Sequence, residues 1–165
     1  MKNSRTILAV FAHPDDEAFG TGGTIAKYAA EGVHVVLVCA TRGEAGEISD
    51  PSLATPANLG QVREHELRCA AENMGVAELI FLDYRDSGMA DTPENNDPPA
   101  FINAPAEEVV QKLISVIRRV QPLVVTTFEP NGGYGHPDHI AIHKHTVSAF
   151  FRVRQSRPIP RTGTS

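Results

Sequence analysis

Residues 6–17 read T-I-L-A-V-F-A-H-P-D-D-E, and this stretch decides the fold. Thr6–Ala12 is a short, essentially continuous apolar run without helical length, which predicts a strand buried on both faces. It empties directly into His13, Pro14, Asp15, Asp16 and Glu17, side chains that belong outside a core. A strand of this kind needs covering layers above and below, and the following segments have the patterns for them. Gly20, Gly22 and Gly23 predict a loose turn. Ile25, Tyr28 and Ala29 then fall at helical spacing, with Gly32 as the stop.

The alternation continues along the chain. Val33–Cys39 predicts a second buried strand, and residues 42–60 a loop, marked by Gly43, Gly46, Pro51, Pro56 and Gly60. Residues 61–75 predict a helix with Leu67, Ala70, Ala71 and Met74 on one face and Gly75 at its end. Glu78–Leu82 is a third strand, and residues 84–103 a second loop. Asn103 is placed to cap a helix with Pro105 in its first turn and a stripe of Val109, Leu113, Val116, Ile117 and Val120. Leu123–Phe128 is a fourth strand, followed by a glycine-rich turn and a helix from about Pro137 to Phe151. Strands alternating with helices predict an α/β fold: a Rossmann-like, mostly parallel sheet with helices on both faces. Such sheets bind ligands beyond the carboxyl ends of their strands.

Length and composition narrow the function. At 165 residues the chain fits one domain. Residues 1–151 form the predicted core, and 152–165 a basic, disordered tail carrying Arg152, Arg154, Arg157 and Arg161. Of the 15 lysines and arginines those four lie in the tail, which leaves 11 against 20 acidic residues, a body at −9. A body so acidic does not attract nucleic-acid phosphates. No apolar run approaches the ~18 residues needed to span a bilayer, and no basic start followed by an apolar segment marks a signal peptide. Cys39 and Cys69 are too few and too far apart for a disulfide framework or a metal knuckle, so they are expected as reduced thiols in a cytoplasmic protein.

Two clusters carry the chemistry. The first strand empties into His13–Glu17. The fourth empties into Gly132-Gly133-Tyr134-Gly135-His136-Pro137-Asp138-His139. Each has a plain structural explanation alone: His-Pro as a turn, Asp15–Glu17 as acids at a helix start. His139 and His143 stand at i, i+4 and offer an alternative pair on one helix, though without the glutamate of a zincin motif. Together, at the active edge of one sheet, the clusters present three imidazoles and several carboxylates. These are the donors zinc takes in catalytic sites, with three protein ligands and an open position. Pro14 and Pro137 stiffen the backbone beside them.

The motifs Ala12-His13-Pro14-Asp15-Asp16-Glu17, Thr41-Arg42-Gly43-Glu44, Tyr84-Arg85-Asp86-Ser87-Gly88-Met89 and Gly133-Tyr134-Gly135-His136-Pro137-Asp138-His139, in this order, resemble the PIG-L/LmbE-like zinc N-deacetylases. The resemblance covers residues 6–151. It implies the LmbE-like fold and one Zn2+ per chain, held by His13, Asp16 and His139. It implies Asp15 as general base and His136 as the group that steadies the oxyanion or protonates the leaving amine. Asp138 would tune that histidine, and Tyr134 would lie near the oxyanion. Arg68 and Asp86 would contact the sugar, while Glu17, Arg42 and Glu44 would fix loops. The implied reaction is hydrolysis of an N-acetyl group from an N-acetylglucosamine-type conjugate, giving acetate and a free amine.

Members of the family usually continue past this length, so the chain is expected to be shortened, with an incomplete substrate wall. An open edge beyond the fourth strand then predicts self-association and a high KM. Two rivals follow. One is a catalytically weak or inactive metal- or sugar-binding remnant. The other is a nucleotide-binding Rossmann domain, for which Gly20-Thr21-Gly22-Gly23 is a poor match to G-x-G-x-x-G.

Overall fold

The computed structural model describes residues 5–155. Four parallel strands, β1 (Thr6–Phe11), β2 (His34–Cys39), β3 (Glu78–Phe81) and β4 (Val124–Thr126), form one sheet in the order β3-β2-β1-β4. The register pairs Thr6 with His34 and Ile7 with Val124. The helices are α1 (Asp16–Ala30), α2 (Leu59–Asn73), α3 (Ala106–Val120), the single turn α4 (Gly132–Gly135) and α5 (Pro137–Gln155). This is the α/β sheet the sequence predicts.

The sheet has two buried faces because successive side chains point to opposite sides. Leu8, Val10, Val36 and Val38 pack under α3 and α5, against Val109, Leu113, Ile117 and Ile142. Ala9, Phe11, Val35 and Leu37 pack under α1 and α2, against Ile25 and Leu67. The α3 stripe is buried as expected, apart from the half-buried Val120. No helix among the described residues is long and apolar enough to cross a membrane.

Several local expectations are corrected. The expected glycine turn does not exist: Gly20, Gly22 and Gly23 lie inside α1, which starts at Asp16. Three glycines disfavour a helix, but this one is anchored at its start by Asp16 and in its middle by buried Ile25. A methyl group at Gly20 or Gly23 would meet nothing within 4 Å. Gly20→Ala and Gly23→Ala are therefore each expected to stabilise the fold by about 0.5–1 kcal/mol in denaturant unfolding, mainly by restricting the unfolded chain.

Asn103 is not a cap. It ends a 3-10 turn, and its side chain donates to the carbonyls of Asn95 and Asp97, while Pro105 immediately precedes α3. The fourth strand is shorter than the expected Leu123–Phe128: it spans Val124–Thr126 at the edge of the sheet, with Val124 53% exposed and Leu123, just before it, 74% exposed. The last helix runs on to Gln155 and takes in Arg152 and Arg154, while residues 156–165, with Arg157 and Arg161, lie outside the described residues.

Candidate active site

β1 ends at Phe11, and the chain turns through Ala12–Asp15 into α1. The Asp16 carboxylate fixes that turn: its Oδ2 accepts the backbone N–H groups of Ala12 and His13 at 3.1 and 2.7 Å. At the far end of the chain, α5 brings His139 to the same place. His13 Nδ1 lies 3.1 Å from His139 Nε2. Asp16 Oδ1 is 3.2 Å from His139 Nε2, and Asp16 Oδ2 is 3.6 Å from His13 Nδ1. The edge of a tetrahedron around zinc, with ligands at about 2.0–2.1 Å, is roughly 3.3 Å. The two ring nitrogens thus stand at the spacing of tetrahedral ligands, and the Asp16 carboxylate meets each of them with a different oxygen.

Their outer atoms are bonded so that the inner ones stay available. His13 Nε2 faces Asp138 Oδ2 at 3.1 Å and Asp86 Oδ1 at 3.4 Å. His139 Nδ1 faces the Gly132 carbonyl at 3.1 Å. A proton on each of those outer nitrogens leaves the inner nitrogen's lone pair for a cation, the usual support for metal-binding histidines. Gly132 is required here, because a Cβ on it would come within 2.7 Å of His139 Cβ. Phe128 stacks on the His139 ring at 3.9 Å and 9°.

The electrostatics also call for positive charge. Asp16, Asp86 and Asp138, with side chains 8, 5 and 0% exposed, surround His13. Burial pulls the His13 pKa down, but hydrogen bonds to Asp138 and Asp86 and the charges of Asp86 and Asp16 outweigh it, raising the pKa to about 10. The ring then carries a second proton on Nδ1, directed at His139 Nε2, and a cation bound there would replace that proton. Burial raises Asp16, yet the two histidines bring its pKa below the usual carboxylate value. Asp138 Oδ1 is buried without a hydrogen-bond partner.

His136 is the third buried imidazole, close enough to His13 and His139 for all three to share an ion. Its Nδ1, however, accepts the Asp138 backbone N–H at 3.2 Å. The neutral ring therefore carries its proton on Nε2 as a donor. Burial, reinforced by His13, lowers its pKa to about 4. Asp138 acts on His136 through its charge, which raises the His136 pKa against burial. Its carboxylate bonds His13 and the Ser87 N–H, and its backbone N–H bonds His136.

Asp15 stands at the rim of a cavity of about 420 Å³ that His13, Asp16, Asp86, Tyr134 and His136 also line. Burial raises its pKa, with Arg63 opposing. Tyr134 is 70% exposed, its ring 5.2 Å from that of His139. Glu17 is buried, and its carboxylate accepts the Asp15 N–H. Glu44 accepts the N–H groups of Arg42 and Asp86, tying two loops together, and the Arg42 side chain binds Glu64 and Asp83.

One expectation is not met in place, and two alternatives find no support. Arg68 is outside the cavity, paired with Glu64 on the exposed side of α2. Arg63, five residues earlier and about 140° round the helix, faces the cavity and was not singled out. His143 makes no pair with His139; its Nδ1 bonds the Phe128 carbonyl at 2.7 Å. The glycines of the nucleotide-binding rival are helix interior, so they form no phosphate loop.

Residues 8–150 match the family model described as PIG-L, GlcNAc-PI de-N-acetylase. A 1D-myo-inositol 2-acetamido-2-deoxy-alpha-D-glucopyranoside deacetylase of Geodermatophilus obscurus is 48% identical over 158 residues, covering 90% of this chain and 54% of that protein. The chain spans about half the length of the curated relatives it matches. Among solved structures, the N,N'-diacetylchitobiose deacetylase of Pyrococcus horikoshii superposes with a TM-score of 0.71 at 31% identity, over 90% of this chain and 50% of that one. The 4-carboxy-2-hydroxymuconate hydratase GalB of Pseudomonas putida superposes with a TM-score of 0.67 at 28% identity, over 89% and 56%.

Proposed function

This chain belongs to the PIG-L family of GlcNAc-PI de-N-acetylases, and from that premise we propose that it is a zinc-dependent hydrolase. The proposed reaction removes the N-acetyl group of an N-acetylglucosamine-type conjugate, giving acetate and a free amine. The observation that carries the reading is the convergence of His13 Nδ1, His139 Nε2 and the Asp16 carboxylate at 3.1–3.6 Å beside a cavity rimmed by Asp15. In this reading His13, Asp16 and His139 hold one Zn2+. Bound there, the ion supplies Lewis acidity toward the amide carbonyl and lowers the pKa of water toward ~7.

The remaining chemistry falls to this chain's side chains. Asp15, at the cavity rim, takes the proton of the attacking water. His136 donates a hydrogen bond from Nε2 to the oxygen that gains negative charge, and the proton that Asp15 takes from the water is the one returned to the leaving nitrogen. Tyr134 lines the same wall and offers a hydroxyl there. Asp86 and Arg63 border the volume where the sugar would sit, and we assign the sugar-contact role to Asp86. Two free cysteines, one buried and one exposed, fit a reducing cytoplasmic setting. The exposed β4 edge supports self-association.

The charge of the cavity separates this reading from hydration. Asp15, Asp16, Glu47 and Asp86 line it against Arg63. With the two positive charges of a bound Zn2+ counted, the lining is still net negative by about one, which favours a neutral sugar amide over a carboxylate substrate such as the muconate named for the Pseudomonas neighbour. The test is acetate release by the zinc-loaded protein over a set of N-acetylated sugar conjugates, with unacetylated sugars as controls. Stoichiometric zinc and steady acetate release are expected. Full zinc without acetate from any conjugate would instead identify a metal-binding remnant.

A further inference from the structure

The base in the proposed reaction sits on an unusual backbone. Asp15 has φ 101° and ψ −29°, in the left-handed region that a non-glycine residue enters only when its surroundings enforce it. The enforcing contacts act on one peptide unit, that between Pro14 and Asp15. Its N–H donates to Glu17 Oε2 at 3.1 Å, and its C=O accepts from Arg63 Nη2 at 2.6 Å. Rotation about the Asp15 φ would swing this peptide plane, and both of its ends are held.

The same Arg63 Nη2 reaches Asp15 Oδ2 at 3.0 Å, and Nη1 donates to the Gly43 carbonyl at 3.0 Å. One guanidinium thus joins α2, the β1 exit and the β2 exit. It also occupies a space made for it. A Cβ on Gly43 would lie 1.8 Å from Nη1, and one on Gly46 2.9 Å from it. The Arg63 side chain is 18% exposed and Glu17 is buried. An ordinary surface ion pair needs neither a glycine cradle nor a backbone carbonyl as a second acceptor.

We propose that Arg63 and Glu17 are positioning residues: together they pin the Pro14–Asp15 peptide and, through it, aim the Asp15 carboxylate at the reacting water. This rests on the reading of Asp15 as general base. Neither residue is among the three side chains assigned to the metal, so each can be removed without taking a ligand. Lysine cannot replace Arg63, because a single ammonium group cannot span acceptors on three segments as a planar fork does.

The experiment compares wild type, Arg63→Ala, Arg63→Lys, Glu17→Met, which keeps the side chain's length and removes its acceptor, and Asp15→Asn, each loaded with zinc. Arg63→Ala is expected to keep one zinc per chain and to lose kcat by about 10–10²-fold, the scale of a misaligned catalytic group, with KM changed less than about threefold. Arg63→Lys should recover little. Millimolar guanidinium chloride should refill the Gly43–Gly46 cradle and restore Arg63→Ala by about tenfold, with no effect on Asp15→Asn. Amide exchange of the Asp15 N–H, read by NMR, should accelerate in Arg63→Ala and Glu17→Met and slow again in Arg63→Ala with guanidinium.

A rise in KM at unchanged kcat would make Arg63 a substrate contact and overturn the proposal, as would wild-type exchange at Asp15 in both variants. If the wild-type protein releases no acetate, the deacetylase reading fails, while the exchange rates still decide whether the peptide is pinned.

Discussion

His139→Ala and His13→Ala are each expected to leave a folded protein that no longer retains zinc and no longer releases acetate. Each removes one of the three converging donors. Altering only a residue that supports a metal ligand already weakens such sites by about 10–100-fold, so loss of a ligand itself should exceed that range. Metal analysis after gel filtration is expected to fall from one zinc per chain to a trace in both variants. Circular dichroism melts guard against misfolding, since His139 also stacks on Phe128 and bonds Gly132. His143→Ala is the control: its ring serves the Phe128 carbonyl, and the variant should stay metallated. Full zinc in both ligand variants would refute the triangle, and loss in His143→Ala would favour a metal pair along α5.

Asp138→Asn separates orientation from ligation. Its carboxylate holds His13 Nε2 and the Ser87 N–H, so the variant should bind zinc about 10–100-fold more weakly without losing it altogether.

The parts of this molecule legible in its sequence are those where local pattern and tertiary role coincide. TILAVFA and VHVVLVC read as doubly buried strands because a parallel sheet under two helix layers leaves no polar face. The α3 stripe was legible because its apolar residues all serve one contact. The meeting of the two polar clusters was legible because each lies at the carboxyl end of a strand and the topology brings those ends together, whereas the choice of His13, Asp16 and His139 among their side chains came from the family resemblance alone.

What was not legible depends on contacts remote in sequence. Gly20, Gly22 and Gly23 suggest a break, and only the Asp16 clamp at the N-terminus of α1 and burial of Ile25 make a helix there. Phe101 is fully buried against Tyr84 and His145, although the surrounding residues 84–103 carry the composition of a loop. The resemblance points to Arg68 for the sugar, but the phase of α2 turns Arg63 to the cavity instead. A start at Leu59 and a five-residue separation put them on different sides of the helix. The left-handed Asp15 has no local signal beyond aspartate's tolerance for that region.

Asp15 and Asp16 are adjacent in sequence and unequal in structure, and exchanging each for asparagine should show it. Asp16 is clamped by two backbone N–H groups and faces both histidines, with a side chain 8% exposed. Asp15 points to the cavity rim with a side chain 55% exposed, held by Arg63. In the proposed reaction Asp16 holds the ion and Asp15 takes the proton from the attacking water. Asp15→Asn removes no ligand, so it should keep its zinc and lose roughly 10²–10⁴ in kcat, the usual worth of a positioned general base. Asp16→Asn replaces a carboxylate ligand by a neutral amide oxygen. It should lose zinc first, and added zinc should restore part of its rate. Zinc titration and acetate release on the same preparations read both effects. A metal-free Asp15→Asn rescued by zinc, beside a metallated and inactive Asp16→Asn, would show the two roles reversed. Unchanged zinc and rate in both would reduce the pair to acids at the start of a helix.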